Sequence, residues 1–169
     1  MTIRPGLEVR PATIADYDRI NALAEQLDRI HREGLPDRFR RPDGPNRSRG
    51  YIESLIADPA TFLAVAELGG AVVGLINCGL ERSPDIPTKP ALLFLKVRGV
   101  VVDEARRRMG IGSSLMAAAT DWAAARGASE AQLNVYEFNA TAAAFFRGLG
   151  FAPISSRFTG PLDGPAEKS

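Results

Sequence analysis

The sequence predicts an α+β fold in α/β/α layers. It expects a central mixed, mostly antiparallel sheet of about six or seven strands, flanked by about four helices. Three observations carry this expectation. Two apolar runs, residues 61–68 and 71–80, are joined by Gly69 and Gly70, which is a hairpin signal. The second half of the chain alternates β-rich runs with helical spacing, in the order strand, helix, strand, helix, strand. The first of those strands meets its helix through Gly110-Ile111-Gly112, a glycine turn.

Taken in order, residues 7–10 read as a short strand. Pro11 and Thr13 open a helix with Thr13 as N-cap. Ile14, Tyr17, Ile20, Leu23, Ala24, Leu27 and Ile30 then recur at helical spacing until Gly34 and Pro36 end the helix. Residues 37–49 are polar and contain Pro42, Gly44 and Pro45, so they read as a loop, and residues 49–57 form a second helix. The hairpin follows. Residues 83–90 hold Pro84, Pro87 and Pro90 and form a loop. Residues 91–102 are β-rich and bend near Gly99. An alanine-rich helix spans 111–126 and stops at Gly127, residues 130–136 form a strand, and a helix over 140–149 stops at Gly150. Residues 151–158 are expected to form a last strand, and the tail from Gly160 to fray. One domain covers residues 1–169, with its core in 7–158 and no repeat or linker dividing it.

The formal charge of +1 gives no general pull toward nucleic acid or an anionic membrane. Seven arginines nevertheless fall between Arg29 and Arg49, where they line a pocket or solvate a loop. Cys78 is the only cysteine and sits in an apolar run, so it reads as a buried thiol with no disulfide. No apolar signal core or membrane-length run is present, and a cytoplasmic location is expected.

The stretch 100–117 carries most of the functional signal. A β-branched run stops at Asp103, arginines 106–108 follow, and Gly110 opens a helix. Glycine lets the main chain approach an anion closely. The first N–H groups of a helix lack internal partners and can point at a phosphate, and the helix dipole adds positive potential. A phosphate-bearing ligand is therefore expected. A Walker loop needs a lysine after its last glycine, but Ser113 and Ser114 stand there. A dinucleotide fingerprint needs a third glycine where Leu115 stands.

The remaining pattern, Arg107-x-x-Gly110-x-Gly112 after a Val-x-Val strand end, resembles the acyl-CoA pyrophosphate loop of the GNAT N-acetyltransferase superfamily. Asn139-x-x-Ala142-x-x-Phe145-Phe146-x-x-x-Gly150-Phe151 resembles the closing block of the same superfamily. The likeness covers residues 7–158 in order and implies a GNAT-like fold. His31-x-x-x-Leu35-Pro36-Asp37-x-Phe39 further resembles an element of one subgroup.

The resemblance implies acetyl-CoA as co-substrate and no metal. It places the pantetheine arm against the Val100, Val101 and Val102 strand. Amides from Arg108 through Met109, Gly110, Ile111 and Gly112 to Ser113 would hold the pyrophosphate, with Arg107 bracing the turn. Asn139 would bond the pantetheine, while Ala142, Phe145 and Phe146 would flank the thioester. Each has a structural alternative: Val100 and Val102 as sheet core, Asn139 as a helix cap, Phe145 and Phe146 as core aromatics, Phe145 before Phe146.

Acetyl transfer needs a base for the amine, a donor for the oxyanion and a proton for the leaving thiolate. The superfamily often supplies that proton from a tyrosine, where this chain has Phe146. Tyr136, Cys78, water or unassisted thiolate departure would then serve. Relatives often carry an acid before the Val-x-Val, where this chain has Lys96-Val97-Arg98-Gly99, which suits an anionic substrate group. Base candidates are His31, Glu81, Asp85 and Glu137, and His31 has a fitting intrinsic pKa. His31, Phe39, Arg98 and Glu137 are expected at the acceptor. The function implied is direct acetyl transfer from acetyl-CoA to a primary amine of a small molecule or a peptide N-terminus. The alternatives are a non-catalytic acyl-CoA sensor and an interaction protein that keeps only the fold. Nucleic acid and membrane partners are not expected, and dimers are common among proteins that look like this.

Overall fold

The computed structural model describes residues 5–162. The chain divides into two compact units, Met1–Tyr136 and Glu137–Ser169. The first unit holds β1 (Leu7–Pro11), α1 (Tyr17–Gly34), α2 (Arg49–Ala57), β2 (Thr61–Leu68), β3 (Ala71–Arg82), β4 (Leu93–Val102), α3 (Ile111–Ala124) and β5 (Glu130–Leu133). The second holds α4 (Ala140–Gly148). Short 3-10 turns at Ile14–Asp16 and Glu104–Arg106 precede α1 and follow β4.

The sheet runs β1-β2-β3-β4-β5, antiparallel except for the parallel β4–β5 pair. It is mixed and mostly antiparallel, as expected. Gly69 and Gly70 adopt φ of +59° and +80°, the positive values that a two-residue type I′ hairpin turn requires at both positions.

The predicted apolar stripe of α1 explains one layer. Ile20 and Leu23 of α1 and Ile52 of α2 bury themselves against Leu63, Val65, Leu75 and Val101 of the sheet. Each such side chain contributes about 1.5–3 kcal/mol relative to exposure. The opposite face packs on α3. There Gly74 admits a close approach, since a Cβ would lie 3.0 Å from both Ile111 Cγ2 and Leu115 Cδ1. In front of α1, the Asp16 carboxylate is buried, and Arg10 clamps it through two hydrogen bonds of 2.9 Å. The Thr13 N–H also donates to it at 2.8 Å, so Thr13 heads the 3-10 turn and α1 proper begins at Tyr17.

Three expectations are corrected. The described residues contain five strands rather than six or seven. Residues 151–158 form no strand: Ile154 and Phe158 are almost fully exposed, and Pro153 has no N–H to give a ladder. β5 also stops at Leu133, three residues short of the expected end. Of the tail expected to fray, residues 160–162 have no helix or strand, and residues 163–169 lie outside the described residues.

In the second unit, the Asn139 side chain accepts from the Ala142 N–H at 3.0 Å and caps α4. Phe146 is the buried ring, edge-on to Phe145 at 5.0 Å and to Phe151 at 5.8 Å. Phe145 is only partly buried, which inverts the expected order of the two.

Candidate functional site

The site begins where β4 loses a neighbour. β4 pairs with β3 along its whole length, but with β5 only over Phe94–Val97. Strand residues alternate the side to which they turn N–H and C=O. The Asp103 N–H donates to the Val73 carbonyl at 2.8 Å. Val101 therefore faces β3, while Val100 and Val102 turn their main-chain groups to the open edge. The register shifts opposite Asn77 and Cys78, leaving Arg98 as the extra residue of a β-bulge. The bend expected near Gly99 is this bulge.

The glycine loop follows directly. The Arg107 Nε donates to the Val102 carbonyl at 3.4 Å, tying the loop to the open edge. Arg108 has φ of +63°, the one positive value outside glycine among the described residues. Such a backbone costs about 1–2 kcal/mol, and it turns successive amides to one side. Gly110, at φ +77°, is the N-cap of α3 and has no side chain to compete for the first-turn amides. The first ladder bond of that turn runs from Ser114 N–H to Gly110 O at 3.0 Å, so the Ile111, Gly112 and Ser113 amides point forward of the helix. Arg106, Arg107 and Arg108 are all exposed around this concavity.

α1 holds the base of the loop. Arg19 pairs with Asp103 and donates to the Val72 carbonyl at 2.8 Å. Gln26 accepts from the Glu104 N–H at 2.9 Å, and Arg29 bonds the Glu104 carboxylate at 2.7 Å. Burial pushes the Asp103 carboxyl up, but the Ala105 amide and Arg19 outweigh it and hold it below its ordinary range.

Tyr136 joins His31 and Phe39, two residues of one sequence element. His31 stacks on Phe39 at 5.2 Å between centroids, and Tyr136 meets His31 and Phe39 edge-on, each at 5.5 Å. Burial lowers the His31 pKa below 6.5, opposed by the nearby Asp28 carboxylate. That shift favours the neutral imidazole, the form that accepts a proton.

One turn back along the same face of α1, Leu27 lines a cavity of about 60 Å³ between the helices and the sheet. Arg47, Tyr51, Asn77 and Arg98 also reach it. The Asn77 Oδ1 is buried there with no hydrogen-bond partner. The Arg98 guanidinium lies over Gly79, so close that a Cβ there would stand 2.7 Å from its Nη1. Asn77, Arg47 and Tyr51 were missed in the sequence. The signal for Asn77 was present, as a lone amide in an otherwise apolar strand.

Glu81, at the end of β3, accepts from Arg98 at 3.4 Å. Cys78 is fully buried, its thiol donates to the Phe62 carbonyl, and burial pushes its pKa to about 12, so it has no access to a reacting group. Asp85 lies in the exposed 83–90 loop. Glu137, Asn139, Ala142, Phe145 and Phe146 belong to the second unit. Among the described residues no cluster of three or more His, Cys, Asp or Glu could hold a metal, and no helix is long and apolar enough to cross a membrane.

The acetyltransferase (GNAT) family model matches residues 23–151. The acetyl transferase GW6a of rice, Oryza sativa subsp. japonica, is 39% identical over 104 residues, covering 57% of this chain. The chain spans 25% of the length of that relative. Among solved structures, the BH1408 protein of Bacillus halodurans, crystallised as a point mutant, gives a TM-score of 0.87 at 25% identity, over 92% of this chain and 99% of its own. An aminoglycoside N-acetyltransferase solved with CoA gives 0.68 at 14% identity, over 91% and 98%. At that identity the likeness is one of fold.

Proposed function

The chain belongs to the acetyltransferase (GNAT) family, and from that premise we propose that it transfers an acetyl group from acetyl-CoA to a primary amine of a small molecule or a peptide N-terminus by direct attack. The observation that carries this reading is the left-handed loop at Arg108 and Gly110, set at the end of the open β4 edge. When bound, acetyl-CoA supplies the acetyl thioester that the amine attacks.

The residues present fit such a group. Main-chain groups of Val100 and Val102 have no β5 partner and would bond an extended amide-bearing arm, while Val101 contributes core. Amides from Arg108 to Ser113 would hold a diphosphate, with Met109 and Ile111 shaping the turn and Arg107 bracing it. For Asn139, Ala142, Phe145 and Phe146 the support is the closing sequence block alone.

For the chemistry, neutral His31 would take the proton from the incoming ammonium, because an amine attacks only when unprotonated. Tyr136, whose ring meets His31, would supply a proton to the departing thiolate in place of the tyrosine that Phe146 replaces. The test is thiol release from acetyl-CoA over a panel of amines. Amine-dependent release is expected, with His31→Gln lowering kcat/KM by about 10²–10⁴-fold. Phe146, together with Lys96 and Arg98 where relatives carry an acid, favours the second reading, an acyl-CoA binding module without turnover. Saturable acetyl-CoA binding with no thiol release from any amine would select it.

A further inference from the structure

We propose that the acceptor is an amine that also bears a carboxylate, and that Arg98 reads that carboxylate in the cavity beneath α1 and α2. The proposal rests on the acyl-transfer reading and names its substrate class. The cavity has room for on the order of five waters, enough for the head of a small amino acid. Two arginines and no carboxylate line it. Arg47 is committed, since its two Nη atoms bond the Asp28 carboxylate at 2.9 and 3.1 Å. Arg98 is not. Its one hydrogen-bond partner among the described residues is Glu81 at 3.4 Å, and both side chains are more than a third exposed. A pair of that kind is weak and exchangeable.

The fold nevertheless takes trouble to place this guanidinium. The β-bulge adds Arg98 to β4 and aims it, and Gly79 clears the space that it occupies. Its planar fork matches a carboxylate through two parallel hydrogen bonds. The unpartnered Asn77 Oδ1 supplies the complementary half. A buried acceptor without a donor is an uncommon feature that calls for a ligand or water, and an amine N–H satisfies it. Carboxylate reader and amine acceptor in one cavity describe an amino acid.

The test is calorimetric titration of the protein, with CoA present, by α-, β- and γ-amino acids and by the carboxamide of each. At least one amino acid is expected to bind, and its carboxamide at least tenfold more weakly. Arg98→Gln should abolish that preference, and Arg98→Lys should restore part of it. Gly79→Ala should weaken the same amino acid several-fold, because its methyl displaces the guanidinium without removing the charge. That variant keeps the test sound if Arg98→Gln folds poorly. All variants should keep the wild-type thermal shift with acetyl-CoA. The proposal is overturned if no amino acid outbinds its carboxamide, or if the preference survives Arg98→Gln. Failure of the acyl-CoA reading would appear separately, as a missing acetyl-CoA shift.

Discussion

Two backbone angles and one imidazole bear the proposed chemistry. Around Gly110 a Cβ would meet nothing within 4 Å, so a substitution there is opposed by its φ of +77° alone. Gly110→Ala is expected to cost about 1–2 kcal/mol, read as a lower urea midpoint. Arg108 adopts the same region without being glycine, and no sequence pattern announces that. His31 and Phe39 were legible together and Tyr136 by itself, but the meeting of Tyr136 with the pair was not, because it depends on where α1 and β5 end. Burial in that ring cluster depresses the His31 pKa, so the sign of its pH effect is fixed. The unfolded chain takes up the proton first, and stability falls as pH drops from 6.5 through the lower folded value. For activity, the acid limb of kcat/KM should lie below pH 6.5. Phe39→Ala, which exposes the imidazole, should move that limb upward. An unmoved limb would remove His31 as the base.

The elements were legible where periodicity was strong. The 3.6-residue stripe from Ile20 to Leu27, the glycine pair of the hairpin and the alanine-rich α3 each point to one structure. The parting of β4 from β5 was not legible, because strand composition continues past Leu133 while pairing does not. Residues 151–158 failed for a related reason: apolar residues are present, but Pro153 and the polar Ser155, Ser156 and Arg157 leave no run that pairs. The contact of α3 with the sheet tests whether the loop depends on its helix. Gly74→Val should press on Ile111 and Leu115, cost about 1–3 kcal/mol and weaken the acetyl-CoA shift, since Ile111 begins α3. At the other side of the sheet, the Arg10 hydrogen bonds hold the Asp16 carboxyl below its ordinary 3.8. Its contribution is present above that value and is lost as pH falls through the lower folded one. Urea unfolding at pH 7 and pH 2.5 should therefore show Asp16→Asn costing about 1–3 kcal/mol at pH 7 and much less at pH 2.5.

At the scale of the molecule, a net charge of +1 conceals how the arginines are used. Arg32 pairs with Glu25 within α1, while Arg47 pairs with Asp28 and so pins the loop before α2. Arg98, outside that stretch, is the one left exchangeable at a cavity. The cofactor reading was legible because a backbone cradle has a sequence signature in glycines and their spacing. The acceptor reading was not, because it depends on a bulge, on Gly79 and on an amide whose missing partner only coordinates reveal. The loop from Arg107 to Ser113 is proposed to bind a CoA thioester. Thermal denaturation of the wild type and of Gly110→Glu, with and without saturating acetyl-CoA, tests it most directly. A clear rise in Tm is expected for the wild type and none for the variant, whose own Tm stays high enough to measure. No rise in the wild type, or an equal rise in both, would contradict it.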